Sequence, residues 1–84
     1  MGLEEELLKI GRRLERRFSE GNTDHILKLL KILQNFEMTV HLLRSTKIGM
    51  IVNKIKKSTE EREVGELAKT IIKAWKRILD IFVI

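Results

Sequence analysis

Not one proline occurs in this chain of 84 residues, where average usage would supply about four. Proline breaks helices, because it lacks an amide hydrogen and its ring clashes with the preceding turn. A chain without it, whose apolar side chains return every three or four residues, reads as helices joined by short turns. A chain this short builds one core at most. The expectation is an all-α fold, a compact bundle of four to five helices that takes in residues 1–84 as a single domain. With 43% hydrophobic residues, such a core needs no disulfide or metal to hold it.

Leu3, Leu7, Ile10, Leu14 and Phe18 form one stripe of a first helix. Glu4, Glu5 and Glu6 open it and Arg12, Arg13, Arg16 and Arg17 close it. Both ends suit the helix dipole, which explains the arginine cluster better than a nucleic-acid patch does. Gly21 and Asn22 break the pattern, and Asn22 or Thr23 can cap the next helix. That helix runs to about Gln34. Ile26, Leu27, Leu29, Leu30, Ile32 and Leu33 cover most of its circumference, so it is expected to be the most buried. Asn35 to Met38 is a turn, Thr39 caps a short third helix through Leu42 and Leu43, and Ser45 or Thr46 caps a fourth.

In the fourth helix Ile48, Ile51, Val52 and Ile55 set the inward face. Lys47, Met50, Lys54 and Lys57 then line up outward as a basic stripe interrupted by one thioether. Gly49 is expected to admit a neighbouring helix. Ser58 and Glu61 have capping-box spacing and open the longest helix. There Val64, Leu67, Ala68, Ile71, Trp75, Ile78 and Phe82 face inward with Leu79 beside them, and Glu66, Lys69, Lys73 and Arg77 face outward. Trp75, lying between Ile71 and Ile78, reads as core. The apolar end Ile81 to Ile84 is expected to pack as an extra turn, the alternative being an association patch.

Catalytic chemistry has little to work with. No Cys is present, which excludes thiol nucleophiles, disulfides and Cys-based zinc sites. His25 and His41 fall in different helices without a metal-ligand spacing. Ser19, Ser45 and Ser58 sit where helices start or stop, as caps do. No glycine loop suits a phosphate. The chain is therefore read as a non-enzyme without cofactor or metal. No apolar run reaches the length of a membrane span, and the acidic start is unlike a targeting leader, so a soluble, intracellular protein is expected.

Charge is what remains. Seventeen Lys and Arg against twelve Asp and Glu leave a net +5, which favours anionic partners. Residues 1–24 and 58–84 are nearly balanced. Residues 38–57 hold Arg44, Lys47, Lys54, Lys56 and Lys57 with no Asp or Glu. Duplex reading would call for Arg, Asn or Gln aimed at base edges, and this helix offers mainly Lys with Asn53. Single-strand binding would call for interleaved aromatics, and the segment has none. Weak, sequence-independent nucleic-acid binding is the alternative reading. The better fit is an acidic peptide with an apolar anchor, since Lys steers the encounter and Met adapts its shape. The first-choice contacts are Lys47, Met50, Lys54 and Lys57, flanked by Arg44, Asn53, Lys73 and Arg77.

The stretch MTVHLLRSTKIGMIVNKIKK from Met38 to Lys57, followed by ELAKTIIKAWKRILD from Glu66 to Asp80, resembles the N-terminal domain of transcription elongation factor TFIIS. That domain is also called the LW domain after a Leu and a Trp matched here by Leu67 and Trp75. The opening EEELLKIGRRLER is similar as well, and related domains occur in elongin A and a Mediator subunit. The chain departs from the pattern at Glu37, where the family commonly has Pro, and in its apolar end. The resemblance implies a right-handed helical bundle in the nucleus that docks short acidic, Phe-containing disordered motifs of elongation or Mediator-type proteins; a monomer is expected, the alternative being a homodimer through the apolar end. It implies no transcript-cleavage stimulation by this chain alone, since in TFIIS that activity resides in other domains. Family membership does not locate the groove, which is either the basic stripe or the loops near Ser19 to Asp24 and Ser58 to Val64.

Overall fold

The computed structural model describes the backbone of residues 2–83 and the side chains of residues 2–79. Five α-helices follow in order: α1 Leu3–Ser19, α2 Thr23–Gln34, α3 Val40–Thr46, α4 Ile48–Ser58 and α5 Arg62–Val83. The expected all-α bundle is what forms, and no strand occurs among the described residues. No helix among them is long and apolar enough to cross a membrane. The radius of gyration of 12.2 Å matches the value of about 12 Å for a compact chain of this length.

The first and last helices organise the packing. Each of α1 and α5 packs against α2, α3 and α4, and the α4–α5 contact is the most extensive. One core results, with Leu7, Leu14, Leu30, Leu33 and Val52 fully buried and Ile48, Ile55, Val64 and Ile71 nearly so. The α1–α4 approach passes over Gly11, where a Cβ would lie 2.9 Å from Ile51 Cδ1 and 3.3 Å from Ile48 Cδ1. The glycine that admits a neighbouring helix is therefore Gly11 and not, as the sequence suggested, Gly49. A Cβ at Gly49 would meet only Trp75 Cε3, at an ordinary 3.9 Å.

Local chemistry sets the ends. Gly21 takes φ +70°, a region open to glycine, and the Asn22 side chain accepts from the His25 amide as the N-cap of α2. Thr39 accepts from the Leu42 amide to cap α3. Between α3 and α4 stands a single residue, Lys47, in the left-handed conformation at φ 55° and ψ 28°. Buried Thr46 joins the two helices, its Oγ1 donating to the Leu42 carbonyl at 2.6 Å and accepting from the Ile48 amide at 3.3 Å. The cap of α4 that the sequence placed at Ser45 or Thr46 is thus occupied by Lys47, with the Thr46 hydroxyl serving one free amide from one position earlier.

Other expectations are corrected. The capping box of Ser58 and Glu61 does not form; Ser58 ends α4, and Thr59 Oγ1 accepts from the Glu61 amide instead. Helix α2 is not the most buried element. Only Ile26, Leu30 and Leu33 are inside, and Ile32 is 50% exposed, because α1 and α5 cover two flanks and leave the third to water. Leu3 is 51% exposed, since α1 begins beyond the reach of the bundle. Ile72, absent from the expected inward set of α5, is buried. The side chains of Phe82 and of Ile81 to Ile84 lie outside the described residues.

Two substitutions test this core. Leu30→Ala should destabilise the fold by about 2–5 kcal/mol, the usual range for a fully buried leucine, in denaturant unfolding followed by circular dichroism. Thr46→Val, close in shape, should cost roughly 1–2 kcal/mol by leaving the Ile48 amide unserved, while Thr46→Ser should keep most of the loss from appearing.

Candidate functional site

Helix α3 ends, and α4 begins, beside the middle of α5, and the three elements enclose a groove of about 550 Å³. Its floor is apolar. Buried Leu43, Ile72 and Trp75 form it with half-buried Leu79. Gly49 and Met50 border it from α4, and Met50 is 68% exposed. Around the floor stand Arg44, Lys47, Lys56, Lys57 and Lys76, with Asn53 as the one uncharged polar side chain and, among the described residues, no carboxylate. Arg16 and Arg17 pair with Glu20, and His41 lies near Glu4, away from this groove. Among the described residues no carboxylate lines the groove beside these cations.

Helical geometry explains which expected residues come together. Arg44, Lys47, Met50, Asn53 and Lys57 line the groove, whereas Lys54, Lys73 and Arg77 are exposed outside it. The sequence places this stripe on the outward side of α4, away from its isoleucine face. The groove lies instead on the flank of α4 that turns toward α5, and at about 100° per residue Lys54 falls past its rim while Lys56 falls within it. On α5 the lining residues Ile72, Trp75, Lys76 and Leu79 repeat at i, i+3, i+4 and i+7, one face of a helix. Lys73 and Arg77 project from the next face, where they border a shallow depression with Thr70 and Ala74. Lys56, Lys76, Ile72 and Leu79 were missed, although the spacing on α5 could have found the last three.

The loops considered as the other groove also meet. The α1–α2 and α4–α5 turns enclose about 210 Å³ between Phe18, Gly21, Ile26, Thr59 and Val64, with Glu60 and Glu61 at its edge and no cation. A further groove between α2 and α5, floored by Leu27 and Leu67, mixes Lys31 and Arg62 with Glu63 and Glu66. Of the three, only the α3–α4–α5 groove has a rim on which every charged described residue is a cation. Among the described residues no His, Asp and Glu gather in threes as a metal site would require. His25 Nδ1 is held 2.8 Å from the Asn22 side-chain amide at the start of α2.

Comparison with known proteins finds the family described as Med26, TFIIS helical bundle-like domain, whose model matches residues 28–79. Transcription elongation factor A protein 3 of Mus musculus is 49% identical over 80 residues, which are 95% of this chain and 23% of that protein. Transcription elongation factor S-II of Saccharomyces cerevisiae is 42% identical over 59 residues, 69% of this chain and 19% of that protein. A probable mediator of RNA polymerase II transcription subunit 26a of Arabidopsis thaliana is 34% identical over 55 residues, 66% of this chain and 9% of that protein. The chain spans less than a quarter of the length of each of these curated relatives. The matched residues 28–79 take in every residue that lines the groove.

Lys47 is the one non-glycine residue with positive φ among those described. A side chain in the left-handed region costs on the order of 1 kcal/mol, so Lys47→Gly should raise stability by about 0.5–1 kcal/mol in thermal unfolding. A melting temperature below that of the parent would refute this account of the α3–α4 junction.

Proposed function

The chain belongs to the TFIIS helical bundle-like (Med26) domain family, a transcription-factor helical domain related to elongation and Mediator proteins, and from that premise we propose that it is a docking module of the RNA polymerase II elongation machinery. Residues 1–84 act as one interaction domain, monomeric and nuclear. Its partners are elongation or Mediator-type proteins, which it engages through short, acidic, Phe-containing disordered segments. The observation that carries this reading is the groove with an apolar floor and five cations around it, without a carboxylate among the described residues.

The physical steps are simple. The cations raise the rate of encounter with an acidic segment. An apolar side chain of that segment then leaves water for the floor of Leu43, Ile72, Trp75 and Leu79, which contributes roughly 2–3 kcal/mol for a phenylalanine. Met50 can change rotamer to fit different neighbours of the anchor. Ordering the segment costs about 2–5 kcal/mol, which offsets most of that gain and keeps the binding modest. Lys54, Lys73 and Arg77 add a more distant field and no contact.

The groove favours a peptide over a nucleic acid because Trp75, at 6% exposure, offers no face on which a base could stack. Backbone-amide NMR titration with an acidic peptide carrying one Phe is the direct test. Shifts should cluster on residues 43–57 and 72–79. Shifts confined to residues 19–24 and 58–64 would move the site to the loops, and none at millimolar peptide would remove the docking reading altogether. Lys47→Glu combined with Lys57→Glu should weaken binding at least about tenfold, since both are rim charges facing the same acidic ligand. The helical circular dichroism of the fold should persist, since both side chains are exposed. Tighter binding of an oligonucleotide than of the peptide near physiological salt would favour the nucleic-acid alternative.

A further inference from the structure

Lys73 and Arg77 take no part in the groove, yet they do not stand alone. Residues 67–79 hold four cations, Lys69, Lys73, Lys76 and Arg77, and no Asp or Glu. At about 100° per residue these four fall within roughly 100° of the circumference of α5, and all four are exposed. Lys73, Lys76 and Arg77 border a shallow depression of about 450 Å³ with Thr70 and Ala74, and among the described residues no carboxylate lines it. Lys76 also stands on the rim of the groove, so the basic surface continues from the groove onto the outer face of α5. Exposed Glu66, one turn before Lys69, ends this face toward the start of the helix.

We propose that the outer face of α5 is a second binding surface, which holds the phosphate backbone of a nucleic-acid duplex without reading its sequence. Three observations select this occupant. Ala74 is the one apolar side chain bordering the depression among the described residues, so an acidic peptide would find no seat there for an apolar anchor. The Thr70 hydroxyl donates to the Glu66 carbonyl at 3.0 Å and is turned onto its own helix. Positive charge is therefore what the face offers, spread over about 12 Å from Lys69 to Arg77, which suits a polyanion better than a single phosphoryl group. Trp75 is buried, so unpaired bases gain no stacking, whereas a duplex carries one negative charge for about every 1.7 Å of its axis. Contacts of this kind position a duplex and do not select its sequence. They are also weak near physiological salt, so the duplex supplements the peptide of the groove and does not replace it.

The test is fluorescence anisotropy of a labelled DNA duplex of about two helical turns, titrated with the whole chain between about 50 and 200 mM salt. The parent should lose about a hundredfold in affinity across that range, with a slope of log K against log salt near about −3, as three or four phosphate contacts give. Lys73→Ala combined with Arg77→Ala should make the slope shallower by about two units. Arg12→Ala combined with Arg13→Ala removes the same charge from exposed positions on α1 and should leave the slope within about half a unit of the parent's. Lys73→Arg keeps the charge and should keep the slope. Circular dichroism of each variant should show the helical fold, since the substituted side chains are exposed. No binding of the duplex at the lowest salt would overturn the proposal, as would a Lys73 and Arg77 variant with a slope no shallower than the α1 control's. A single strand of the same length that binds more tightly than the duplex would overturn it too. A doubly phosphorylated peptide that binds this face more tightly than the duplex would give it to a protein partner and equally overturn the proposal. None of these outcomes touches the groove, whose peptide is read separately by the NMR titration.

Discussion

The structure depends on α4 being gripped from two sides. On one side α1 comes close enough for Gly11 to touch Ile48 and Ile51; on the other α5 runs past Gly49 with Trp75. Because protein interiors are close-packed, these two contacts fix both the position and the rotation of α4. Ile48, Val52 and Ile55 turn inward, Lys54 and Lys57 are exposed, and half-buried Lys56 borders the groove. The basic surface is thus a by-product of burial, concentrated where the inward face leaves no other choice.

The α3–α4 junction completes the arrangement. A single left-handed residue, Lys47, allows α4 to start one residue after α3 ends. The buried Thr46 hydroxyl then bonds to both helices, so their angle is held by hydrogen bonds as well as by packing. Arg44 at the end of α3 and Lys47 at the junction reach the same groove as Lys56 and Lys57 near the far end of α4. A strained backbone position and a buried hydroxyl in this way bring charges from three elements around one apolar floor.

Much of the fold was legible. The stripes of α1 and α4, the turn at Gly21 and Asn22, and the Thr39 cap all follow from spacing and side-chain chemistry that act within a few residues. The errors share a cause. Ile32, Leu3 and Ile72 were misplaced because a helix's own periodicity says which face is apolar, and not how much of that face a neighbour covers. Ser58 and Glu61 have the spacing of a capping box, yet α4 extends through Ser58 and Thr59 serves the amide. For the candidate site, Arg44, Lys47, Met50, Asn53 and Lys57 were named from the charge map, and the groove includes them. Lys56 and Lys76 were not, because they reach the groove only through the rotation of α4 against α5.

By itself the sequence determined that the chain is helical, that its net charge sits in residues 38–57, and that these residues resemble one family of transcription-factor domains. Those properties belong to residue order, through propensity, capping and periodicity, all of which are local. Only the tertiary structure decided which flank of α4 faces α5, and therefore which cations ring the floor and which glycine is required by packing. That choice is made by side chains far apart in the chain, Gly11 against Ile51 and Gly49 beside Trp75, whose contacts no local pattern contains.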